Sequence, residues 1–215
     1  NDDVIMGVFP KYTIFNILQD DLPIKEVITK GPLGVMLLSA GSGINHIEDL
    51  KEEEREKFLN SLKELQGFDY ILIDAGAGIN KSLLAFISSS QELFVVTTPE
   101  PTAMVDAYSL LKAVNHFKLK AKARVIVNKA LNQKEARETF TRLQAAVMKF
   151  LTIRVEYLGG ILEDKKLTMA VRRQSPLLIE YPESSAAKDV EAIASLLLGD
   201  NKPMEGTNMQ DLFRK

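Results

Sequence analysis

The 215 residues contain no cysteine, no tryptophan and only two histidines, His46 and His116. Without cysteine there is no disulfide and no thiolate metal site, and two histidines alone build no metal cluster. No excess of one charge stands out: 27 Lys+Arg face 29 Asp+Glu, a net −2. That balance gives no support for a dedicated nucleic-acid binder. No apolar run approaches a membrane-spanning length and no signal-peptide pattern is present, so the cytoplasm is the expected location. Internal repeats and low-complexity segments are missing too. So is the phosphate-loop motif Gly-x-x-x-x-Gly-Lys-Ser/Thr, since no glycine in the chain is followed by lysine. Lys30-Gly31-Pro32-Leu33-Gly34 does not replace it. Its lysine precedes the glycines, Pro32 has no N–H, and no helix start follows.

What is present centres on Tyr70-Ile71-Leu72-Ile73-Asp74-Ala75-Gly76-Ala77-Gly78-Ile79. Four apolar residues running into an aspartate and two glycines predict a strand buried on both faces of a parallel sheet. Asp74 then falls at the strand's carboxyl end, where open α/β sheets place ligands. The glycines allow close approach and offer N–H groups to an anion. A carboxylate there can hold hydrated Mg²⁺, which is the logic of a Walker B strand with a γ-phosphate switch. A buried strand followed by an ordinary tight turn explains the residues equally well.

The rest of the chain alternates strand and helix. Ile14 to Leu18 is a short apolar segment. Val35 to Ser39 reads as a strand, followed by the flexible Ala40-Gly41-Ser42-Gly43. Glu48 to Gln66 reads as a helix with Leu50, Phe58, Leu62 and Leu65 on one face and Gly67 as its C-cap. Helices are predicted over Lys81–Ser90, Thr102–Phe117, Gln133–Phe150, Leu167–Arg173 and Pro182–Leu198. Strands are predicted over Glu92–Thr97, Arg124–Lys129 and Val155–Leu162. This spacing implies one α/β domain over residues 1–199, a three-layer parallel sheet with helices on both faces. Residues 200–215 form a polar linker and the possible start of an amphipathic tail ending in Met209 to Lys215. Three apolar residues in seven hold no membrane alone, and a frayed terminus explains them as well.

If the sheet is doubly wound, three strand ends converge: Asp74 to Gly78, Asn128, and Glu163-Asp164. A nucleotide would fit across them. Asn128 offers one donor and one acceptor, the pattern adenine requires, although asparagine also ends strands in turns. Glu163 and Asp164 can accept from ribose or a base amino group, although acids also favour the start of the next helix. Lys118, Lys120, Lys122 and Arg124 alternate as a stripe, read as a solvated strand entry rather than a phosphate track. Arg172-Arg173 suits a helix C-terminus.

Several of these blocks together resemble the MinD-type deviant P-loop ATPases (the SIMIBI type), and within them the flagellar-number regulators of the FlhG (FleN/YlxH) group. The resemblance rests on Gly31-Pro32-Leu33-Gly34 with Ser39-Ala40-Gly41-Ser42-Gly43-Ile44, on Ile73 to Ile79, and on Val96-Thr97-Thr98-Pro99-Glu100-Pro101-Thr102-Ala103 with Asp106-Ala107-Tyr108. It runs from Asn1 to about Gly199. Asn1-x-Asp3 and Gly7 are similar to the residues after that family's second strand. The family's first strand, phosphate loop, helix and second strand, roughly 40 residues for a unit of that size, would precede them. The chain is therefore expected to be incomplete and inactive alone.

The resemblance implies an ATP hydrolase: a slow, ATP- and Mg²⁺-dependent switch that cycles to ADP, forms an ATP-dependent homodimer and regulates flagellar number or placement. Asp74 would hold Mg²⁺ through water. Gly76 and Gly78 would sense the γ-phosphate, and Asn128, Glu163 and Asp164 would hold the nucleoside. Asn80, Pro99, Glu100 and Asp106 would shape a dimer or switch surface. The implied partners are the SRP-type GTPase FlhF and flagellar assembly components, with peripheral contact at the inner face of the cell membrane and no specific nucleic acid. Two alternatives remain beside it: a non-hydrolysing pseudo-ATPase that keeps the partner surface, and a ParA-like DNA partition ATPase, which the near-neutral charge disfavours.

Overall fold

The structure is a computed structural model that describes residues 2–40, 53, 57, 60–62, 64, 65, 67–76 and 78–200. The chain divides into two compact units. One comprises Asn1–Asp74, Ala170–Pro176 and Glu205–Lys215; the other comprises Ala75–Met169 and Leu177–Met204.

The first unit is built from short pieces: helices α1 (Asp2–Ile5), α2 (Ile14–Gln19) and α3 (Ile24–Val27), and strands β1 (Thr29–Lys30) and β2 (Met36–Leu37). The Asn16 side chain accepts the Thr13 N–H at 2.9 Å and so fixes the entry to α2. Ile17, Ile24 and Val27 are buried, with Tyr12, Leu22, Ile28, Leu38, Leu62 and Leu65 packed around them. The strand expected over Val35–Ser39 shrinks to β2, and it pairs antiparallel with β1 rather than joining a parallel sheet. The reason is the turn between them. Leu33 (φ 53°) and Gly34 (φ 83°) are both left-handed, which folds the chain back on itself.

Of the helix expected over Glu48–Gln66, the described residues at 53, 57 and 60–62 are helical. Gly67 has φ 83°, as a C-cap glycine requires. Leu50, Phe58, His46, the 41–44 segment and the 201–215 tail lie outside the described residues.

The central expectation fails here. Tyr70, Ile71, Leu72 and Ile73 form no strand and are 53, 50, 83 and 48% exposed. An apolar run becomes a buried strand only when strands flank it on both sides and take its N–H and C=O groups. Among the described residues no strand pairs with 70–73.

The second unit is the α/β layer structure that the alternation predicts. Its elements are α4 (Lys81–Ser89), β3 (Phe94–Thr97), α5 (Pro101–His116), β4 (Lys122–Ala130), α6 (Gln133–Phe150), β5 (Arg154–Leu162), α7 (Lys165–Arg172), α8 (Leu177–Glu180) and α9 (Ser185–Asp200). The strands form a parallel sheet in the order β3-β4-β5. In α6, Ala136, Thr139, Phe140, Leu143 and Val147 are buried, one face at helical spacing. They meet Val125, Val127 and Val155 of the sheet and Leu111 and Val114 of α5 in one core.

Gly159 and Gly160 set the layer spacing. A β-carbon on Gly159 would lie 2.5 Å from Ile193 Cγ1 of α9, and one on Gly160 would lie 2.5 Å from Ala136 Cβ of α6. Successive strand residues point to opposite faces, so α9 and α6 cover opposite faces of β5.

The lysine stripe is also corrected in part. Arg124 is 7% exposed, not solvated, and its Nε lies 3.4 Å from Glu92. Lys122 lies 3.5 Å from Glu156. The Lys120 ammonium donates to the Ser88 and Ser90 carbonyls at the end of α4. Backbone carbonyls and carboxylates take up these cations because the strand entry lies against α4 and its neighbouring strands. His116 is exposed.

Candidate functional site

Parallel strands put their carboxyl ends on one edge. Register pairs Thr97 with Val127, Val127 with Gly160, and Ala130 with Leu162. Two of the expected strand ends, Asn128 and Glu163-Asp164, are therefore neighbours on that edge, beside Thr98-Pro99-Glu100 at the end of β3.

The pairing slips by one residue between Val127 and Ala130. Asn128 and Lys129 form a bulge there, with Lys129 left-handed (φ 56°) and its N–H donating 2.9 Å to Asn128 Oδ1. A bulge re-aims a side chain out of the regular pleat. The Glu163 N–H donates 2.9 Å to the Ala130 carbonyl, closing the two strand-end loops on each other. The Glu163 side chain is exposed and has no partner among the described residues.

Asp164 is differently placed. Its Oδ1 accepts the Lys166 N–H at 2.8 Å; its Oδ2 accepts the Ser185 hydroxyl at 2.9 Å and the Ala186 N–H at 3.3 Å. One carboxylate thus caps both α7 and α9. The Lys166 N–H first, then the Ser185 and Ala186 bonds and the Lys166 charge, hold its pKa below the ordinary aspartate value. Both oxygens that sequence reasoning offered to a nucleotide already have protein donors.

Residues 70–73 form no strand, so the third expected strand end does not exist as such. Asp74 closes the first unit and is exposed. Its charge acts on Asp2, which hydrogen-bonds to it. Burial first, then the Asp74 charge, push the Asp2 carboxyl above its usual range. Two adjacent carboxylates in this state form an oxygen-donor pair that a divalent cation would relieve. Mg²⁺ is held by one or two protein carboxylates plus waters and phosphates. Among the described residues no group of three or more metal-binding side chains is found.

Gly76 and Gly78 have open space where a β-carbon would stand, and Gly78 has φ 99°. Exposed backbone of this kind suits close approach by a phosphate. Asn80 caps α4: its Oδ1 accepts the Leu83 N–H at 2.8 Å. The Glu100 N–H donates 3.3 Å to Thr98 Oγ1 at the start of α5. Glu100 and Asp106 are exposed and Pro99 is half-buried.

Sequence reasoning missed the supports of this edge. Gln133 Nε2 donates to the Gly160 carbonyl at 3.1 Å and to Asp189 Oδ1 at 2.9 Å, and Asp189 Oδ2 accepts the Leu162 N–H at 2.9 Å. The available signal was Gly159-Gly160 inside a predicted strand, which marks close approach by other elements.

The layering and strand order are those of a known class. The structure superposes on MinD of Aquifex aeolicus with a TM-score of 0.70 at 22% identity, covering 95% of this chain and 82% of that one. It also superposes on MinD of Pyrococcus horikoshii in complex with Mg-ADP, with a TM-score of 0.67 at 21% identity, covering 91% and 77%. The fold is therefore the MinD-type α/β fold.

No family model matches the chain. Among curated proteins it is similar to the antiactivator FleN of Pseudomonas aeruginosa, 29% identical over 195 residues, covering 90% of this chain and 70% of that protein. It is 31% identical over 200 residues to the flagellum site-determining protein YlxH of Helicobacter pylori, covering 92% and 67%. It is 30% identical over 200 residues to an uncharacterized ATP-binding protein of Methanocaldococcus jannaschii, covering 93% and 72%. The chain belongs to the MinD-type ATPases, in the family that includes FleN and YlxH.

Proposed function

We propose that this protein is an ATP-binding, slowly hydrolysing switch that regulates flagellar number or placement. The similarity to FleN and YlxH over nine-tenths of the chain carries this reading. In it, Asp74 holds Mg²⁺ through water, and the Gly76 and Gly78 backbone faces the γ-phosphate. Asn128 reads the base with its donor and acceptor, and Glu163 accepts from the ribose or the base amino group. Asp164 acts through the loop that it shapes. Bound Mg²⁺ supplies charge neutralisation to the transferring phosphoryl group. Asn80, Pro99, Glu100 and Asp106 belong to the surface of an ATP-dependent homodimer. The nucleotide state would set affinity for an FlhF-type GTPase, for flagellar components and for the membrane surface. Among the described residues no helix is long and apolar enough to cross a membrane.

The test is ATP turnover by the natural gene product and its Asp74→Ala variant, with flagella counted in cells carrying each. Turnover reduced at least tenfold, with a melting temperature within a few degrees, fits the assigned role. Unchanged turnover removes Asp74 from the site. A second reading is a non-hydrolysing partner-binding module that keeps the same partner surface. ATP binding without turnover in the natural gene product would select it.

A further inference from the structure

β5 is an outer strand of its sheet among the described residues, so one side of its backbone faces no strand. The Gly160 carbonyl and Leu162 N–H, two residues apart, point to the same side of a strand. Both are taken by side chains: Gly160 O by Gln133 and Leu162 N–H by Asp189, at 3.1 and 2.9 Å. Gln133 and Asp189 also bond to each other at 2.9 Å. The amide and carboxylate together stand in for the next strand and satisfy an edge that would otherwise need water or a partner.

What they join matters more than the edge itself. Gln133 is the first residue of α6, three residues after the end of β4, whose terminal bulge carries Asn128. Leu162 is the residue before Glu163. Asp189 comes from α9, on the face of β5 opposite to α6, one turn before Ile193, whose contact with Gly159 brings α9 in. A single carboxylate therefore ties α9 to the loop after β4 and to the loop after β5. The Glu163 N–H to Ala130 carbonyl bond completes the circuit.

We propose that Asp189 is a positioning residue for the nucleotide site: by bridging the Leu162 N–H and the Gln133 side chain, it holds the Asn128 and Glu163 loops at the spacing that reads the base. This rests on the nucleotide-binding reading above. Its signature is selectivity. Loss of the bridge spoils contacts to base and ribose but not to phosphates, whose backbone groups lie elsewhere in the chain. A purely structural edge cap would weaken both alike.

The experiment has two arms on the natural gene product: wild type, Asp189→Ala, Asp189→Asn and Gln133→Ala. In the first, amide hydrogen exchange is followed by NMR without nucleotide. Asp189→Ala is expected to speed exchange at least tenfold at Leu162 and also across residues 128–131. Asparagine retains an acceptor for Leu162 and should recover most of the protection. Acceleration confined to Leu162 overturns the coupling. In the second arm, Mg-ATP and tripolyphosphate are titrated by calorimetry. Asp189→Ala is expected to raise the Kd for ATP about tenfold and leave tripolyphosphate within twofold, with Gln133→Ala smaller in the same direction. Equal losses for both ligands, or no loss, overturn it. If wild type binds neither ligand, the nucleotide reading fails and with it the role in base reading; the exchange arm still decides whether the clamp couples the loops.

Discussion

A β-carbon on Gly160 would stand 2.5 Å from the β-carbon of Ala136, a methyl that has no rotamer through which to retreat. The Tyr157 hydroxyl at 2.9 Å and Gln133 Oε1 at 3.0 Å close the same space. Gly160→Ala should therefore push α6 off β5 and cost about 1–3 kcal/mol, the usual penalty for overpacking a dense interior. Gly159→Ala meets Ile193 Cγ1 at 2.5 Å and Cδ1 at 2.9 Å, atoms that rotate about side-chain bonds where the Ala136 methyl cannot, and should cost less. Urea denaturation midpoints of the two variants test the order; equal midpoints would refute it.

Asn80 looks like a switch residue only by resemblance, while its geometry is that of a helix cap. Its side chain takes the Leu83 N–H at 2.8 Å, and its backbone is extended (φ −133°, ψ 171°) as an N-cap requires. Asn80→Ala should cost about 1 kcal/mol and Asn80→Asp should restore it. An alanine variant that melts with wild type would show that the cap does not matter, leaving a role at a dimer surface as the reason for asparagine there.

How far these features were legible varies with the range of the cause. Gln133–Phe150 was readable to the residue, because its buried face repeats locally and Asn132 caps it with a 2.9 Å bond to the Glu135 N–H. The strands β3, β4 and β5 were readable for the same reason, as apolar runs between helices. Tyr70 to Ile73 was misread because burial of an apolar run depends on strands elsewhere, which the run itself does not encode. Asn128 and Glu163 were correctly placed on one edge, but the bulge between Val127 and Ala130 is a register property of two strands. Asp164 reads from the sequence as a helix-start acid or a nucleotide contact. Its second cap, on α9, depends on where residues some twenty positions later return. The short helix α8 passed unnoticed because Leu177–Glu180 is too brief to show a period.

The double cap makes a prediction about acid. The folded state holds the Asp164 pKa below the 3.8 of an unfolded aspartate, so the unfolded chain binds the proton more readily. The stabilisation is present above about that value and is lost as pH falls through the lower folded one. Melting temperature should decline from about pH 4 downward, and Asp164→Asn should flatten part of that decline. At neutral pH, Asp164→Ala should lose about 1–2 kcal/mol from two caps, whereas asparagine, still able to accept, should lose less. Identical acid limbs in wild type and Asp164→Asn would rule out this linkage.

Arg124 poses the sharpest energetic contrast. Its side chain is 8% exposed and its Nε lies 3.4 Å from Glu92, whose own side chain is 31% exposed. Taking a guanidinium out of water costs several kcal/mol, and the nearby carboxylate offsets only part of that. Removing one partner is worse than removing both, because the survivor keeps its desolvation cost with less opposite charge beside it. Glu92→Ala should therefore destabilise by about 2–4 kcal/mol, the lower part of the range because Glu92 is partly in water. Arg124→Met leaves a carboxylate that can turn toward solvent, and should cost less. The double variant should be more stable than Glu92→Ala alone, since methionine fills the space without a charge. A double-mutant cycle by chemical denaturation measures this directly. If the double variant is as unstable as the sum of the singles, Glu92 is not what Arg124 relies on.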